Sequence, residues 1–154
     1  MLAKKLGFDE VAIKEIIIGA LLHDIGLIFV DKEILTKVDS DLEEDELMVK
    51  QKHCSLGKMP AKSSKIPYRS QEIIEQHHEK LDGTGYPHAL TKDEVLPEAH
   101  IVAIADVLDT ETTYKAKGNA RVIEDMLNEM YHMPEKYNKK YIIALKEIFG
   151  QALN

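Results

Sequence analysis

Two adjacent histidines, His77 and His78, run directly into a glycine-rich turn with the sequence Asp82-Gly83-Thr84-Gly85-Tyr86-Pro87. Neither a helix nor a strand favours such a turn in its interior, so the segment that carries the histidines must end there. The chain has seven histidines, and four of them belong with two aspartates to a set of residues of metal-ligand type. The members are His23, Asp24, His53, His77, His78 and Asp106. This concentration predicts a metal-dependent hydrolase.

Length and composition predict one globular domain. The chain has 154 residues, of which 44% are hydrophobic and 31% are charged. The longest apolar run, around Ile16 to Leu22, is too short to span a bilayer. A single cysteine, Cys54, excludes an internal disulfide and fits a reducing cytoplasm. The net charge of −7 argues against non-specific binding to a nucleic acid polymer, although bound cations would reverse the sign at a carboxylate-rich site.

Apolar periodicity predicts an all-α fold, a bundle of about five to seven helices with no sheet. The first helix is predicted from Asp9, as its N-cap, to His23, with Gly26 as the stop. His23 and Asp24 lie seven residues beyond Ile16 and Ile17. Both are therefore expected on the side that the apolar stripe buries.

The later helices carry the remaining candidate ligands. Asp41 and Glu44 have the spacing of a capping box, which predicts a helix that runs through His53. Another helix is predicted over residues 70–78, and one metal can receive both His77 and His78 only at its end. A helix beginning at Pro97 carries Asp106 and Asp109 beside its core stripe, a pattern typical of a helix that lines a pocket. Two packing helices are predicted near residues 120–131 and 137–149.

Five motifs in this order resemble the HD-GYP domain, a subgroup of the HD superfamily of metal-dependent phosphohydrolases. They are Leu22-His23-Asp24-Ile25-Gly26, His53 with Gly57, His77-His78-Glu79, the turn at 82–87, and Ile104-Ala105-Asp106-Val107. The resemblance covers about residues 1 to 150. It implies an all-α phosphodiesterase that hydrolyses cyclic di-GMP, a bacterial second messenger, to linear pGpG or GMP.

The resemblance also implies a ligand set and a reaction. Asp24 matches a carboxylate that bridges two metals. One metal would be completed by His53, His77 and His78, and the other would be held in part by His23 and Asp106. His23 and Asp24 would then be catalytic, since two metals can share a hydroxide that attacks phosphorus. Iron or manganese is expected, and zinc or nickel also suits these ligands.

Substrate contacts are implied for four further residues, and Glu79 has two alternative roles. Gly85 and Tyr86 would line the site mouth or contact diguanylate cyclase (GGDEF) domains, and Asp109 would contact guanine. Lys115 stands where the family has an arginine, so the charge is kept without the bidentate fork. Glu79 either supports a metal-bound histidine from behind or is solvated.

The chain departs from the family pattern in two further ways. Leu27 replaces a lysine expected near the substrate phosphate. The family also has an earlier helix with a further histidine, so we expect residues 1–154 to be a domain without that first helix. One metal, or none, would then bind in place of two. The alternatives are a degenerate signalling module that binds a cyclic dinucleotide or a protein, and a hydrolase of another nucleotide. An upstream sensory or receiver domain and a bacterial cytoplasmic location are also expected.

Some residues are predicted to have structural roles alone. Gly83 and Gly85 are expected to adopt positive φ in a tight turn. Cys54 is expected to point away from His53 and to serve packing. His88, His100 and His132 match no ligand position and are predicted on the surface. Met126, Met130 and Met133 have helical spacing and are predicted in the core.

Overall fold

A computed structural model describes residues 1–113 and 122–152, and α-helices dominate these residues. The helices are α1 (Leu2–Lys5), α2 (Glu10–Leu22), α3 (Lys32–Leu35), α4 (Glu44–Gln51), α5 (His53–Ser63), α6 (Tyr68–Gln76), α7 (Pro97–Thr113), α8 (Ile123–Tyr131) and α9 (Lys139–Ala152). Short 3-10 segments cover Ile25–Phe29 and Asp39–Asp41. In the described ranges the β pairing is one isolated bridge, between Asp82 and Thr91. The predicted all-α fold is confirmed.

Helix α6 is the central element of the fold. It packs against α2, α5 and α7, while α9 packs against α1 and α8. Ile73 on α6 and Ile104 on α7 are fully buried, as is Ile142 on α9. Hydrophobic burial across these contacts is the main force that holds the helices together. Because α2, α5 and α7 all meet α6, residues far apart in sequence come to one end of it.

Polar contacts fix α6 against its neighbours at the opposite end from its histidines. Arg69 pairs with Glu15 of α2 at 2.8 Å and with Glu98 of α7 at 3.1 Å. The hydroxyl of Ser70 donates to the backbone carbonyl of Glu15 at 2.8 Å, and Ser70 is fully buried. These bonds set the axial position of α2 relative to α6.

Helix α2 begins and ends close to its predicted bounds, Asp9 and His23. The Asp9 carboxylate accepts from the backbone N–H of Ala12 at 2.7 Å, which confirms the N-cap. The helix ends at Leu22 with His23 as its C-cap, and Asp24 has left helical geometry with φ −94° and ψ 6°. The prediction that helical spacing buries Asp24 is therefore wrong, since its side chain is 48% exposed.

The region after α3 differs from its prediction because helix α5 was not anticipated. The capping box that opens α4 joins Glu43 and Glu46, two residues later than the predicted pair. Helix α4 stops at Gln51, and α5 begins at His53. Gly57 and Pro60 lie inside α5, and both residue types disfavour a helix interior, so the local sequence hides this helix.

His100 is buried, and the prediction that it lies on the surface is wrong. It is 3% exposed, and its Nε2 accepts from the backbone N–H of Asn138 at 3.1 Å. The rings of Tyr137 and Tyr141 pack beside it. The start of α9 therefore covers this face of α7, which no local pattern reveals. The other two histidines predicted on the surface, His88 and His132, are exposed.

The methionine prediction is confirmed for Met126 and Met130, which are 2% and 4% exposed, while Met133 is half-buried.

The helices were also compared with the length and hydropathy of a membrane span. None of the helices in the described ranges combines the length and the apolar character needed to cross a bilayer.

Candidate functional site

Four chain segments bring the six candidate ligands to one end of α6. His23 and Asp24 follow the last residue of α2, and His53 is the first residue of α5. Helix α6 ends at Gln76, so His77 is its C-cap and His78 lies beyond the helix, as the turn predicted. Asp106 completes the set from the middle of α7. The rings of His77 and His78 lie 4.1 Å apart, so both face the same space.

A close backbone contact sets the position of His53 relative to Asp24. Gly26 lies against the start of α5, where a Cβ atom would overlap the carbonyl oxygen of His53 and lie 2.7 Å from the backbone nitrogen of Gly57. Any larger residue at position 26 would push the two segments apart. Gly26 is therefore required for close approach rather than as a helix stop.

Three of the histidines have their tautomer fixed by the same local bond. Nδ1 of His23 donates to the carbonyl of Ala20, that of His53 to Lys50, and that of His77 to Ile74, at 2.7–2.8 Å. A carbonyl oxygen only accepts, so each Nδ1 carries the proton. In the neutral ring, Nε2 then presents a lone pair to the shared space, the form in which histidine binds a metal.

His53, His77 and His78 form what we call the histidine half of the site. Burial lowers the pKa of His53. Burial, with the adjacent His78 and His23, lowers the pKa of His77 to about 3. Burial and His53 likewise lower the pKa of His78 to about 3. All three rings are therefore neutral near pH 7.

The histidine half contains two acceptors that face each other. Nε2 of His53 and Nε2 of His77 lie 3.3 Å apart, and both residues are almost fully buried. Two lone pairs cannot form a hydrogen bond with one another, whereas a cation satisfies both. The donor chemistry therefore fits a divalent metal ion.

His23, Asp24 and Asp106 form the carboxylate half. Nε2 of His23 lies 3.3 Å from Asp24 Oδ2 and 3.6 Å from Asp106 Oδ1. Hydrogen bonds to Asp106 and Asp24 raise the pKa of His23 to about 10. Burial alone would raise the pKa of Asp24, but the hydrogen bond and charge of His23 outweigh burial and lower it to about 2. Without metal, this half holds a proton between two carboxylates.

Asp24 joins the two halves. Its Oδ1 lies 3.4 Å from His53 Nε2 and 3.8 Å from His77 Nε2, while its Oδ2 faces His23. A second, longer contact joins the halves on the other side, where Asp106 Oδ2 lies 3.9 Å from His78 Nδ1. The ligand atoms of His23, Asp24 and His77 all lie within 4.8 Å of one another. A carboxylate with this placement is able to bridge two cations.

Cys54 lies inside the histidine half, and the prediction that it points elsewhere is wrong. Its Sγ lies 3.5 Å from Nε2 of His53, and the residue is fully buried. Helix α5 packs against both α6 and the 3-10 segment, so neighbouring residues in its first turn both face protein. Sequence reasoning missed this donor because it considered the helix direction of Cys54 alone.

The Gly-Tyr-Pro loop covers the histidine half. The ring of Tyr86 lies 4.7 Å from that of His78 and 6.4 Å from that of His53. Glu79 is 1% exposed, and its carboxylate accepts from the backbone N–H groups of His88 at 2.7 Å and Leu90 at 3.0 Å. The interpretation of Glu79 as a solvated residue is therefore wrong. Its carboxylate binds the far side of the loop that carries Tyr86.

The two loop glycines serve different purposes. Gly83 has φ +76°, as predicted. The same prediction is wrong for Gly85, where a Cβ atom would overlap the backbone of Lys80 and lie 2.6 Å from the carbonyl oxygen of His78. Gly85 therefore allows the loop to pass directly over the end of α6.

The remaining predicted site residues lie farther out. Asp109 is exposed, one turn of α7 beyond Asp106. Leu27 is half-buried in the 3-10 segment that follows Asp24. Lys115 lies outside the described residues.

The chain is similar in sequence to a known family and to several characterised proteins. The HD domain family model matches residues 1–140. A cyclic di-GMP phosphodiesterase of Thermotoga maritima is 32% identical over 150 residues, which are 96% of this chain and 40% of that protein. A 3'3'-cGAMP-specific phosphodiesterase of Vibrio cholerae is 31% identical over 134 residues, which are 85% of this chain and 30% of that protein.

A solved structure extends the comparison to the fold. An HDG"Y"P protein of Bdellovibrio bacteriovorus superposes with a TM-score of 0.77 at 25% identity, covering 97% of this chain and 48% of that one. This chain spans less than half the length of each of these three proteins. The family match, the relatives and the shared fold all agree with the all-α structure described above. The chain belongs to the HD domain family of metal-dependent proteins, and within it to the HD-GYP type.

Proposed function

We propose that this chain hydrolyses the phosphodiester bonds of a cyclic dinucleotide, cyclic di-GMP in the first instance, and releases linear pGpG or GMP. The observation that carries the proposal is the convergence of six candidate nitrogen and oxygen ligands at one end of α6. Contacts of 3.3–3.9 Å connect His23, Asp24, His53, His77, His78 and Asp106. Relatives named as cyclic di-GMP phosphodiesterases support the choice of substrate.

The six candidate ligands would hold two cations. His53, His77 and His78 would hold one cation, and His23 with Asp106 would hold a second, with Asp24 between them. When bound, divalent cations of this kind act as Lewis acids on a phosphodiester oxygen. Iron and manganese are the first choices for both positions, and the nitrogen and carboxylate ligands also admit zinc and nickel.

Side chains around the ligands would place the substrate. Tyr86, packed on His78, offers a ring face for a base at the mouth of the site. Gly85 leaves room for that ring to lie over the end of α6. Asp109, one turn from Asp106 and exposed, is positioned to accept hydrogen bonds from guanine, and Lys115 would supply a cation for phosphate.

Activity of the reloaded protein tests the proposal. Metal-free protein would be loaded anaerobically with Fe²⁺ or Mn²⁺, and pGpG and GMP would be measured by chromatography. We expect turnover in the native chain and in His132→Gln, an exposed histidine control, and none in His77→Gln. Absence of both products with either metal would overturn the enzymatic proposal. Calorimetric binding of cyclic di-GMP without turnover would then favour the signalling module, for which Leu27 is the sequence evidence.

A second substrate has its own support. The Vibrio cholerae relative is named for 3'3'-cGAMP, which differs from cyclic di-GMP by one purine base. Measuring kcat/KM with cyclic di-GMP and with 3'3'-cGAMP separates the two candidates. The preferred substrate is the one with the higher kcat/KM. A hydrolase of another nucleotide predicts low rates on both.

The outer side of the Gly-Tyr-Pro loop would contact a partner domain such as a diguanylate cyclase. The side chains of His88 and Ala89 are exposed there, while the backbone N–H of His88 holds the loop to Glu79. Light scattering of a mixture with a GGDEF domain tests this. A complex that persists in a His88→Ala, Ala89→Asp double variant would place the contact elsewhere.

A further inference from the structure

The single cysteine of the chain lies among the buried histidines, and the phosphodiester chemistry proposed above gives it no role. The ligand atoms of His53, Cys54, His77 and His78 all lie within 4.8 Å of one another. Three nitrogen donors and one sulfur donor thus lie close enough together to hold one ion. Cys54 is also fully buried, so its sulfur is shielded from bulk solvent.

The spacing of these atoms matches that of ligands on a single ion. Tetrahedral zinc has Zn–N bonds of about 2.0–2.1 Å and Zn–S bonds of about 2.3 Å, which place two nitrogens about 3.3 Å apart and a nitrogen and a sulfur about 3.6 Å apart. The structure places His53 Nε2 3.3 Å from His77 Nε2 and 3.5 Å from Cys54 Sγ. Both observed separations therefore agree with those of coordinated atoms.

A weak hydrogen bond from the thiol is an insufficient explanation for this arrangement. Nε2 of His53 and Nε2 of His77 both present lone pairs, because each Nδ1 donates to a backbone carbonyl. One S–H group donates to only one of these two acceptors. A cation, by contrast, satisfies both nitrogens and the sulfur together.

We propose that Cys54 is a thiolate ligand of the metal ion held by His53, His77 and His78. The thiol proton passes to solvent as the metal–sulfur bond forms, so no oxidant or reductant is needed. A sulfur ligand makes this position favour borderline ions such as Zn²⁺ over hard ions such as Mn²⁺, so manganese stays a first choice only for the carboxylate half. The inference rests on the metal site of the proposed function and adds a ligand to it.

X-ray absorption of the Zn²⁺-loaded protein tests the inference. We expect a sulfur neighbour at about 2.3 Å in the native protein and nitrogen or oxygen alone in Cys54→Ser. The chain has one cysteine, so no other residue can supply a thiolate. Ala61→Ser, at a buried position of the same helix, is the matched control and must keep the sulfur signal.

Competition between metals gives a second measurement on the same proteins. Cys54→Ser should lower the affinity for Zn²⁺ at least about tenfold and change the affinity for Mn²⁺ less. If Cys54→Ser does not fold, the native spectrum and Cys54→Ala decide. A nitrogen-and-oxygen shell in native protein, failure of native protein to bind Zn²⁺, or a sulfur signal that survives in the cysteine variants overturns the inference. Native protein that hydrolyses cyclic di-GMP without a sulfur ligand would reject the role of Cys54 and leave the proposed function standing.

Discussion

The histidine half and the carboxylate half of the site differ in the charge state of their histidines. In the histidine half, burial lowers the pKa of His77 and His78 to about 3, so these rings stay neutral. In the carboxylate half, Asp106 and Asp24 raise the pKa of His23 to about 10, so this ring stays charged. Neighbouring imidazoles thus have pKa shifts of opposite sign because their surroundings differ.

This difference has a direct consequence for metal binding. A cation entering the histidine half meets free lone pairs on neutral rings. In the carboxylate half the proton on His23 occupies the place of a ligand bond and must leave first. We therefore expect the imidazoles of the histidine half to bind metal without losing a proton, and metal binding by the carboxylate half to release the proton of His23.

Asp24→Asn should have the largest effect, because it removes the group shared by both halves. The amide keeps the size of the side chain but loses the charge that faces His23, His53 and His77. We expect activity to fall by more than about 100-fold, beyond the loss typical of residues that only support a metal ligand. Metal content and phosphodiesterase rate should fall together.

The control for this variant is Asp93→Asn, which removes an equal charge from an exposed position in the loop before α7. It should leave both metal content and rate unchanged. If Asp24→Asn keeps two metals, then Asp24 is not the bridge between the halves.

Gly26→Ala should separate the halves without touching a ligand. The added methyl group would overlap the carbonyl oxygen of His53, and backbone atoms cannot move aside cheaply. We expect a loss of about 3 kcal/mol in the free energy of unfolding, at the upper end for overpacking, measured in urea. Gly150→Ala, where nothing lies within 4 Å of the added atom, is the matched control and should be neutral or slightly stabilising. Equal stability of the two variants would show that the contact between Gly26 and the start of α5 can relax.

The pH dependence of the metal-free protein should show the two halves as opposite limbs. His23 has a folded pKa of about 10, above its ordinary 6.5, so its contribution is complete below pH 6.5 and is lost as pH rises toward 10. His77 and His78 have folded pKa values of about 3, so their contribution is complete above pH 6.5 and is lost as pH falls toward 3. Each limb can reach about 1.4 kcal/mol per pH unit for each proton.

His23→Gln is the variant that distinguishes the limbs. With a chelator present, the stability measured by urea unfolding should lose its decline between pH 6.5 and 9, while its decline below pH 6.5 remains. His132→Gln, at an exposed position, should keep both limbs. An unchanged alkaline limb in His23→Gln would assign that proton to another group.

What the sequence predicts well here is the fold class, the family and the end of α6. The residue types at His77, His78 and the following glycine turn indicate a helix that stops where its ligands are needed, and it does. Order and spacing of the other motifs identify the family. These features are local, since each depends on residues within a few positions of one another.

What the sequence does not predict is packing between distant segments. Helix α5 is not predicted because Gly57 and Pro60 in its interior both disfavour a helix. The burial of Cys54 follows from the packing of α5 against α6. His100 is buried only because α9 returns to cover it. The contacts that bury Cys54 and His100 join separate segments of the chain, and the periodicity of one segment carries no information about them.

Glu79→Gln should have the smallest effect and should confine it to the histidine half. The carboxylate accepts from two backbone N–H groups of the loop, whereas a glutamine has one acceptor and would turn its NH₂ toward the second donor. Leaving a buried donor unpaired costs about 1–3 kcal/mol. The loop would then hold Tyr86 less firmly over His78.

We therefore expect KM for the cyclic dinucleotide to rise in Glu79→Gln, with a smaller fall in kcat and unchanged metal content. Glu94→Gln is the matched control, because that carboxylate also accepts a loop N–H, from Thr91, but at an exposed position. If Glu79→Gln instead loses metal as Asp24→Asn does, then Glu79 acts on the ligands themselves. In that case the loop and the histidine half are one unit, and the boundary between the halves lies at Asp24 alone.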